Sequence, residues 1–197
     1  MKIGIFGGSF NPPHKMHKRI ISSLIKKGYI DKAIVVPTAD NYNKPDLLKG
    51  QDRLKMLQGI FKNDKKISVS SFEVDGSLYT INTLNHFAKI YPKAELYFVL
   101  GTDNLAYFEK WRNYEEVLTK YNLLVISRET ADFDKAVEKF DKYKNHIFLA
   151  DIKEKTISST QIREEIVKHG YTDKLKEYMY VDTINYLKKI DAKSYWR

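Results

Sequence analysis

Two histidines three residues apart stand near the start of the chain, directly after a turn rich in glycine and proline. The first twenty residues read MKIGIFGGSFNPPHKMHKRI, so His14 and His17 open the segment that follows this turn. Glycine lets the backbone approach a ligand closely, and proline stiffens the turn before a helix. Imidazoles at i and i+3 share one face of a first helical turn, where free N–H groups favour an anion. The spacing therefore predicts a phosphate site.

Two other interpretations of the histidine pair stay open at this point. The turn is also consistent with a simple rigid connection that leaves both imidazoles in solvent. The pair would also suit a metal, although helical zinc-binding pairs more often stand four residues apart and need a further ligand. The chain contains no cysteine that would supply a thiolate ligand. We therefore predict no dedicated metal site.

A second cluster of hydrogen-bond donors lies towards the other end of the chain, where residues 157–163 read ISSTQIR. Ser158 and Gln161 have the spacing of a capping box, which by itself predicts a well-capped helix. One cap needs one hydroxyl, however, and this segment carries a run of hydroxyl residues with Arg163 less than a turn further on. Hydroxyls, free N–H groups and a guanidinium together suit a polyphosphate.

Apolar runs and amphipathic stretches alternate along the chain and predict the elements that position these clusters. Strands are predicted at KIGIF, AIVVP, ISVSSFEV, ELYFVLG, LLVISR and HIFLAD. Helices are predicted at HKMHKRIISSLIKKG, DRLKMLQGIFK, YTINTLNHFAKIYP, NLAYFEKW, YEEVLTKY, DKAVEKFDKY and in the tail from Ser158. This alternation is typical of a doubly wound, mainly parallel α/β sheet, here with C-terminal helices. Ligands bind such sheets beyond the carboxyl ends of the strands, at the switch in strand order.

The composition is that of an ordinary globular protein, with 43% apolar and 30% charged residues. Its 197 residues suffice for one domain, in which residues 171–197 are predicted to form a C-terminal helical appendage. The lack of cysteine excludes a disulfide scaffold and a thiol nucleophile. No apolar run reaches the roughly 18 to 20 residues of a membrane span, and no signal peptide is recognisable. A cytoplasmic location is expected.

The formal net charge of +9 allows several classes of function. An anionic nucleotide substrate, a nucleic-acid surface and a general lysine-rich background are all consistent with it. The lysines are spread along the whole chain, and no block of five like charges occurs. Charge alone therefore does not identify the partner.

Taken together, the two donor clusters resemble the signatures of the nucleotidylyltransferase superfamily. GGSFNPPHKMH is similar to GG(T/S)F(D/N)P-x-H-x-x-H, and ISSTQIR is similar to ISST-x-(I/L)R. Inner segments resemble one branch, the bacterial nicotinate mononucleotide adenylyltransferases. These segments are Arg53 with Met56-Leu57, GSLYTINTL at 76–84, FVLGTDNL at 98–105 with Trp111 beyond it, and LLVISR at 123–128.

The chain departs from the pattern of that branch at three places. Met16 stands where the family usually has glycine between the histidines, and Thr102 replaces the usual alanine. The loop that contains Lys44 reads NYNK where the family often has PPHK.

The resemblance implies a Rossmann-like fold and transfer of AMP from ATP to nicotinate mononucleotide, with release of pyrophosphate. The attacking group is already an anionic phosphate, so no protein nucleophile or strong base is required. The task of the protein is to hold two anions in line and to neutralise the charge that develops on the phosphates. Mg²⁺ is expected to arrive with ATP, bridging phosphate oxygens.

The resemblance also implies roles for individual residues. The catalytic residues would be His14, His17 and Arg163. ATP would contact Gly7, Gly8, Ser9, Phe10, His14, His17, Gly101, Asp103, Ser158, Ser159, Thr160 and Arg163. The acceptor nucleotide would contact Lys44, Tyr79, Thr80, Thr83 and Trp111.

Simpler explanations remain open for some of these residues. Trp111 lies in an amphipathic stretch and is also suited to the core, and Asp103 is also suited to cap a helix. Tyr79 and Thr80 also stand where a helix starts, and Lys44 is also typical of a solvated loop lysine.

The alternatives in function are of two kinds. Within the superfamily, the acceptor could be nicotinamide mononucleotide or phosphopantetheine, or the donor CTP. From a different class, a basic nucleic-acid-binding module would need clustered cations with stacking aromatic residues, so nucleic acid is an unlikely partner. Association of the chain into oligomers is left open.

Overall fold

A sheet of six parallel strands forms the centre of the protein. The computed structural model describes residues 1–40, 46–77, 79–127, 133–152 and 157–196. The strands are β1 (Lys2–Gly8), β2 (Lys32–Pro37), β3 (Ile67–Val69), β4 (Glu95–Gly101), β5 (Asn122–Ile126) and β6 (Ile147–Ala150). Their order is β3-β2-β1-β4-β5-β6, and every neighbouring pair is parallel. The predicted doubly wound α/β fold is confirmed.

Helices connect the strands and continue beyond the last one. They are α1 (Lys15–Lys26), α2 (Gly50–Phe61), α3 (Thr80–Ile90), α4 (Thr102–Leu105), α5 (Tyr114–Lys120), α6 (Phe133–Glu138), α7 (Ser159–His169), α8 (Leu175–Tyr178) and α9 (Val181–Lys189). Short 3₁₀ turns cover Phe108–Lys110, Asp141–His146 and Ala192–Trp196. Within the residues that the structure describes, no helix combines the length and the apolar character that crossing a membrane requires.

The strand order reverses next to β1, which pairs with β2 on one side and with β4 on the other. The connections therefore diverge beyond the ends of these two central strands, at Gly8 of β1 and Gly101 of β4. A crevice at this point is where doubly wound sheets bind nucleotides. The fold thus brings the glycine-rich turn and the loop after β4 to one place.

Each face of the sheet carries its own apolar core, because successive side chains of a strand point to opposite faces. On one face Ile5 and Phe98 pack with Leu84 of α3. On the other face Tyr97 packs in a cluster with Ile21 of α1. The inner strands are buried on both faces, which explains why their sequences are continuous apolar runs.

The C-terminal helices pack against α2. Leu175 and Leu187 share a third apolar cluster with Met56 of α2. The indole Nε1 of Trp196 donates a hydrogen bond of 3.1 Å to the carbonyl oxygen of Asp46. The end of the described chain therefore lies against the loop that precedes α2.

The third strand is shorter than its sequence predicts. Alternating apolar and polar residues in ISVSSFEV predict one strand, but β3 ends at Val69. Beyond it the chain turns, and Ser71 Oγ donates to Asp75 Oδ2 at 2.6 Å. The turn buries Glu73, whose carboxyl accepts a hydrogen bond from Thr83. Glu73 therefore faces the interior in a turn, a placement that the alternation does not reveal.

Two segments predicted as single short helices are each divided. NLAYFEKW forms the end of α4 and then a 3₁₀ turn, and DKAVEKFDKY forms most of α6 and then the start of a second 3₁₀ turn. Phe108 and Phe140 lie at these changes of direction, and both are buried. Their ring centroids are 6.3 Å apart. Packing these two rings together requires a change of direction that helical propensity does not predict.

Candidate active site

The donor clusters from the two ends of the chain meet in the structure. Ser159 Oγ, in the first turn of α7, donates a hydrogen bond of 2.9 Å to the carbonyl oxygen of Pro12. Arg163 Nη1, one turn further along α7, donates a bond of 3.0 Å to the carbonyl oxygen of Asn11. The glycine-rich turn and the ISSTQIR segment therefore form the two walls of one site.

The two histidines are stacked at the start of α1. His14 is the residue that caps the helix, in extended conformation, and His17 is the third helical residue. Their ring centroids are 3.7 Å apart, with 29° between the ring planes. The backbone N–H of His14 donates to Nδ1 of His17 at 3.1 Å. Because Nδ1 accepts this bond, we assign the proton of the neutral His17 ring to Nε2.

The aromatic ring of Phe10 supports His17 from the other side. The two ring centroids are 4.9 Å apart in an edge-on arrangement. Phe10 is buried and has a positive φ of 47°, an uncommon conformation for a large side chain. A Cβ at Gly8 would lie 3.3 Å from the Phe10 ring. Gly8 thus makes room for the ring that holds the catalytic candidate in place.

The amino ends of α1 and α7 converge at this site, and neither helix carries an acidic residue in its first turn. Ser158 caps α7, since its Oγ accepts the N–H of Gln161 at 3.1 Å and its N–H donates to Gln161 Oε1 at 2.8 Å. This is the capping box that the spacing predicts. Two helix N-termini whose first turns carry no acidic residue favour phosphate.

A cleft of about 450 Å³ runs between α1 and α7. Helix α1 lines it with Lys15, Met16 and Arg19, and the α7 side contributes Ile157 and Gln161. These residues alternate in sequence with those of the two donor clusters. Met16 is largely buried in the core beneath α1. The thioether that replaces the family's glycine therefore forms part of the wall of this cleft.

Arg163 also forms an ion pair with a residue outside both clusters. Its Nη2 lies 2.6 Å from Asp46 Oδ2, and the arginine side chain is 19% exposed. The carbonyl oxygen of Asp46 accepts from the Nδ2 of Asn11 at 2.8 Å, while Asn11 Oδ1 accepts the N–H of Leu48 at 3.1 Å. Arg163 is thus tied both to the first loop and to the loop before α2.

The residues predicted for the acceptor lie around the start of α3 and the end of the 3₁₀ turn after α4. Tyr79 is 37% exposed and precedes Thr80, the first residue of α3. The guanidinium of Arg112 lies 4.7 Å from the centre of the Tyr79 ring. Trp111 is half-buried and packs edge-on against Phe98, with centroids 5.8 Å apart. Trp111 therefore takes part in the core whatever else it contacts.

The other predicted residues lie at the switch point of the sheet, at the start of α7 or outside the described residues. Gly101 ends β4 and caps α4, and Asp103 lies in the first turn of that helix. Thr160 is exposed in the first turn of α7, and Ser9 follows β1 directly. Lys44 lies outside the described residues.

Thr83, predicted for the acceptor, is buried and donates its hydroxyl to Glu73 Oε1 at 2.7 Å. Burial raises the pKa of Glu73 from its ordinary value of 4.5 to about 7. The hydrogen bond from Thr83 and the positive charge of Arg53 act in the opposite direction and only reduce this effect. Thr83 thus holds a buried carboxyl beside the start of α3.

We expect the stability of the wild type to fall as pH rises, because Glu73 becomes charged. The Glu73→Gln variant should lack this fall. The native pKa lies above the ordinary value of 4.5, so the contribution of Glu73 is complete below pH 4.5 and is lost as pH rises through about 7. The total change is roughly 3 kcal/mol. Denaturant unfolding of both proteins at about pH 5 and about pH 8 measures it. Identical pH dependence in the two proteins would contradict this expectation.

Sequence reasoning missed several residues that organise the site: Asn11, Asp46, Arg53, Glu73 and Arg112. Asn11 and Arg53 stand inside the quoted motifs, so their positions were visible even though no role was assigned to them. Asp46, Glu73 and Arg112 have no signal of their own, because their partners are distant in sequence or belong to packed surfaces.

Comparison of the sequence with known proteins shows its family. A family model described as cytidylyltransferase-like matches residues 5–165. A probable nicotinate-nucleotide adenylyltransferase of Fusobacterium nucleatum is 36% identical over 172 residues, which cover 84% of this chain and 88% of that protein. Another, from Maridesulfovibrio salexigens, is 31% identical over 217 residues and covers 100% of both chains.

Solved structures show the same fold. The nicotinic acid mononucleotide adenylyltransferase of Plasmodium falciparum, complexed with NaAD, has a TM-score of 0.82 at 23% identity, with 98% of each chain covered. A putative nicotinate-nucleotide adenylyltransferase of Vibrio parahaemolyticus has a TM-score of 0.68 at 23% identity, covering 98% of this chain and 96% of that one. With the sequence relatives, these matches confirm the resemblance: the chain belongs to the cytidylyltransferase-like family and, within it, to the nicotinate-nucleotide adenylyltransferases.

Proposed function

We propose that this protein transfers AMP from ATP to the phosphate of nicotinate mononucleotide, giving nicotinate adenine dinucleotide and pyrophosphate. The observation that carries the proposal is the junction of the two donor clusters through Ser159 with Pro12 and through Arg163 with Asn11. The junction brings the N-termini of α1 and α7 together, and the stacked histidine pair stands at the start of α1. The family membership gives the reaction, and the donors give the means to perform it.

The reaction is an in-line displacement at phosphorus. A phosphate oxygen of the acceptor forms a bond to the α-phosphorus of ATP, and the bond from that phosphorus to the bridging oxygen of the β-phosphate breaks. The electron pair leaves with pyrophosphate. Since the acceptor is already anionic, its attack needs alignment and charge neutralisation rather than a general base.

The chain supplies this neutralisation from both walls of the site. His17 would donate its Nε2–H to the α-phosphate, with His14 beside it at the start of α1. Ser158, Ser159 and Thr160 at the start of α7 would bind the β- and γ-phosphates. Preorganised donors of this kind strengthen as charge develops on the leaving group, which is how they lower the barrier.

The remaining contacts follow the switch point of the sheet. The backbone of the glycine-rich turn, from Gly7 to Phe10, would run along the adenylate. Gly101 and Asp103, beyond the neighbouring strand β4, would contact the ribose or the pyridine nucleotide. Donor and acceptor would then lie on opposite sides of the crevice.

On the acceptor side, Tyr79, Thr80 and Trp111 would border the pyridine ring, with Thr83 fixing the helix behind them. Arg112 adds a cation that lies over the Tyr79 ring. A guanidinium here would favour the carboxylate of nicotinate over the neutral amide of nicotinamide. Lys44 would bind the phosphate of the mononucleotide.

Magnesium fits this site as a companion of ATP. In the described part of the chain, no group of three or more His, Asp or Glu side chains is arranged to hold a metal ion. The two donor clusters carry imidazole, hydroxyl and guanidinium groups, so phosphate oxygens and water would hold Mg²⁺. When bound, the ion would neutralise part of the triphosphate charge. We further propose that the protein works in the cytoplasm, where ATP and pyridine mononucleotides occur together.

A panel of substrates tests the proposed reaction. The protein is incubated with Mg-ATP or Mg-CTP and with nicotinate mononucleotide, nicotinamide mononucleotide or phosphopantetheine, and pyrophosphate release is measured. We expect the highest kcat/KM with ATP and nicotinate mononucleotide, because the guanidinium of Arg112 beside Tyr79 would favour the carboxylate of nicotinate over a neutral amide. Preference for another pair would replace this proposal, and salt-dependent nucleic-acid binding without turnover would favour the different class.

A further inference from the structure

Arg53, on α2, is a fully buried arginine that lies outside the donor clusters described above. Its side chain is 0% exposed. Burial lowers the pKa of this guanidinium, with Asp40 and Glu73 acting in the opposite direction. An apolar side chain of similar volume would often serve stability equally well or better. The contacts of Arg53 therefore call for an explanation beyond stability.

These contacts connect three different loops. Nε donates to the carbonyl oxygen of Leu48 at 2.8 Å, before α2. Nη1 donates to the carbonyl oxygen of Ser9 at 2.9 Å, after β1. Nη2 donates to the carbonyl oxygen of Thr38 at 2.7 Å, after β2. A rigid, planar guanidinium with five N–H donors can fix the relative positions of three backbone segments, and an ammonium cannot.

The contact with Ser9 reaches the catalytic candidates through one peptide unit. The carbonyl of Ser9 belongs to the peptide that ends at the N–H of Phe10, the residue with positive φ. Phe10 in turn packs edge-on against His17, with ring centroids 4.9 Å apart. Arg53 therefore holds the backbone on which the support of His17 depends.

Arg53 also binds Asp40, on the other side of the crevice. Arg53 Nη2 lies 3.0 Å from Asp40 Oδ1, and the same oxygen accepts the N–H of Gly50 at the start of α2. Lys44, proposed for the acceptor phosphate, follows Asp40 by four residues in the sequence. Arg53 thus links Asp40 to the turn proposed for the adenylate.

From these contacts we infer that Arg53 is a positioning residue, which sets the distance between the donor side and the acceptor side of the crevice. The inference rests on the proposed function in so far as it names those two sides. Reacting groups must approach to about 3–3.5 Å, and a displacement of about 1 Å can lower the rate roughly 10²-fold. A residue that fixes three loops at once is suited to control this distance.

The test compares Arg53→Lys with Leu57→Ala, a core variant on the same helix. Leu57 is fully buried in the apolar cluster beneath α1 and makes none of the loop contacts. We expect Arg53→Lys to lower kcat about 10²-fold. Leu57→Ala should lower the melting temperature at least as much and keep kcat within about twofold, since it removes only packing. Lys55→Ala, at an exposed position of α2, controls for the loss of a cation.

Asp40→Ala serves as a second variant in case Arg53→Lys does not fold. The Asp40 side chain is 56% exposed, whereas that of Arg53 is fully buried. The Asp40→Ala change should raise KM for the acceptor while changing KM for ATP less, because Asp40 stands close in sequence to Lys44 and Arg53 keeps its bond to Ser9. Unchanged kinetic constants in both Asp40→Ala and Arg53→Lys would overturn the inference. A fall in kcat that is proportional to the fall in melting temperature, to the same degree in Arg53→Lys and Leu57→Ala, would also overturn the inference.

A structural measurement separates this inference from the proposed reaction. Backbone amide shifts of Phe10 and His17, recorded by NMR without substrate, should change in Arg53→Lys and stay unchanged in Lys55→Ala. If the wild type releases no pyrophosphate with any acceptor, the proposed function fails, and these shifts still decide whether Arg53 positions the turn. Unchanged shifts in a folded Arg53→Lys protein would overturn the inference independently of activity.

Discussion

Replacing His17 by alanine is expected to lower kcat by about 10³-fold while the protein stays folded. The imidazole accepts the N–H of His14 through Nδ1, which assigns its proton to Nε2. That N–H is the donor proposed to act on the α-phosphate in the transition state. Because its effect grows as charge develops, its removal should change kcat more than KM for ATP.

Two further variants make this experiment specific. His17→Gln keeps an amide N–H donor near the position of Nε2, and we expect it to recover part of the lost turnover. His169→Ala removes an exposed imidazole at the far end of α7 and should behave as the wild type. Steady-state pyrophosphate release gives the rates, and circular dichroism verifies the fold. Near-normal turnover of His17→Ala would refute the catalytic role.

Arg163→Ala is expected to have the second largest effect, a fall in kcat/KM for ATP of about 10²-fold or more. Two different roles of the Arg163 side chain would explain this fall in kcat/KM. The side chain would bind the outgoing pyrophosphate, or it would only hold the first loop through Asn11 and the loop before α2 through Asp46. The two roles predict different behaviour of Asp46.

Asp46→Asn distinguishes them, since it removes the carboxylate that pairs with Arg163 and keeps the backbone carbonyl of Asp46. If Arg163 binds phosphate, removing its competitor should leave kcat unchanged and lower KM for ATP. If Arg163 acts only as a tether, Asp46→Asn should lose activity as Arg163→Ala does. Kinetics of the two single variants and of the double variant measure the coupling between the residues. A loss of equal size in all three would contradict direct phosphate binding.

Most of the sheet could be predicted from the sequence, because buried parallel strands are continuous apolar runs. ELYFVLG is an example: the predicted strand and β4 have the same bounds. The strand predicted over ISVSSFEV was wrong beyond Val69, because Glu73 turns inward to meet Thr83. A local pattern cannot predict this turn, since the partner of the carboxyl belongs to the next helix.

The candidate site was predicted to the extent that its residues stand in motifs. The sequence predicted that the imidazoles and the ISSTQIR segment would meet, and Ser159 and Arg163 do bond to the loop that precedes His14. It did not predict that Asp46 would pair with Arg163, or that Arg53 would hold three loops. Such contacts join residues far apart in the chain, and only the packed fold brings them together.

The indole of Trp196 rests on Asp46, the residue that pairs with Arg163, whereas Trp111 lies beside the proposed acceptor pocket. The chain has two tryptophans, and these are both of them. Its tryptophan fluorescence therefore originates at these two positions and nowhere else. Versions of the protein that keep a single indole would report occupancy of each half separately, so the order in which the two nucleotides arrive can be followed without any attached dye.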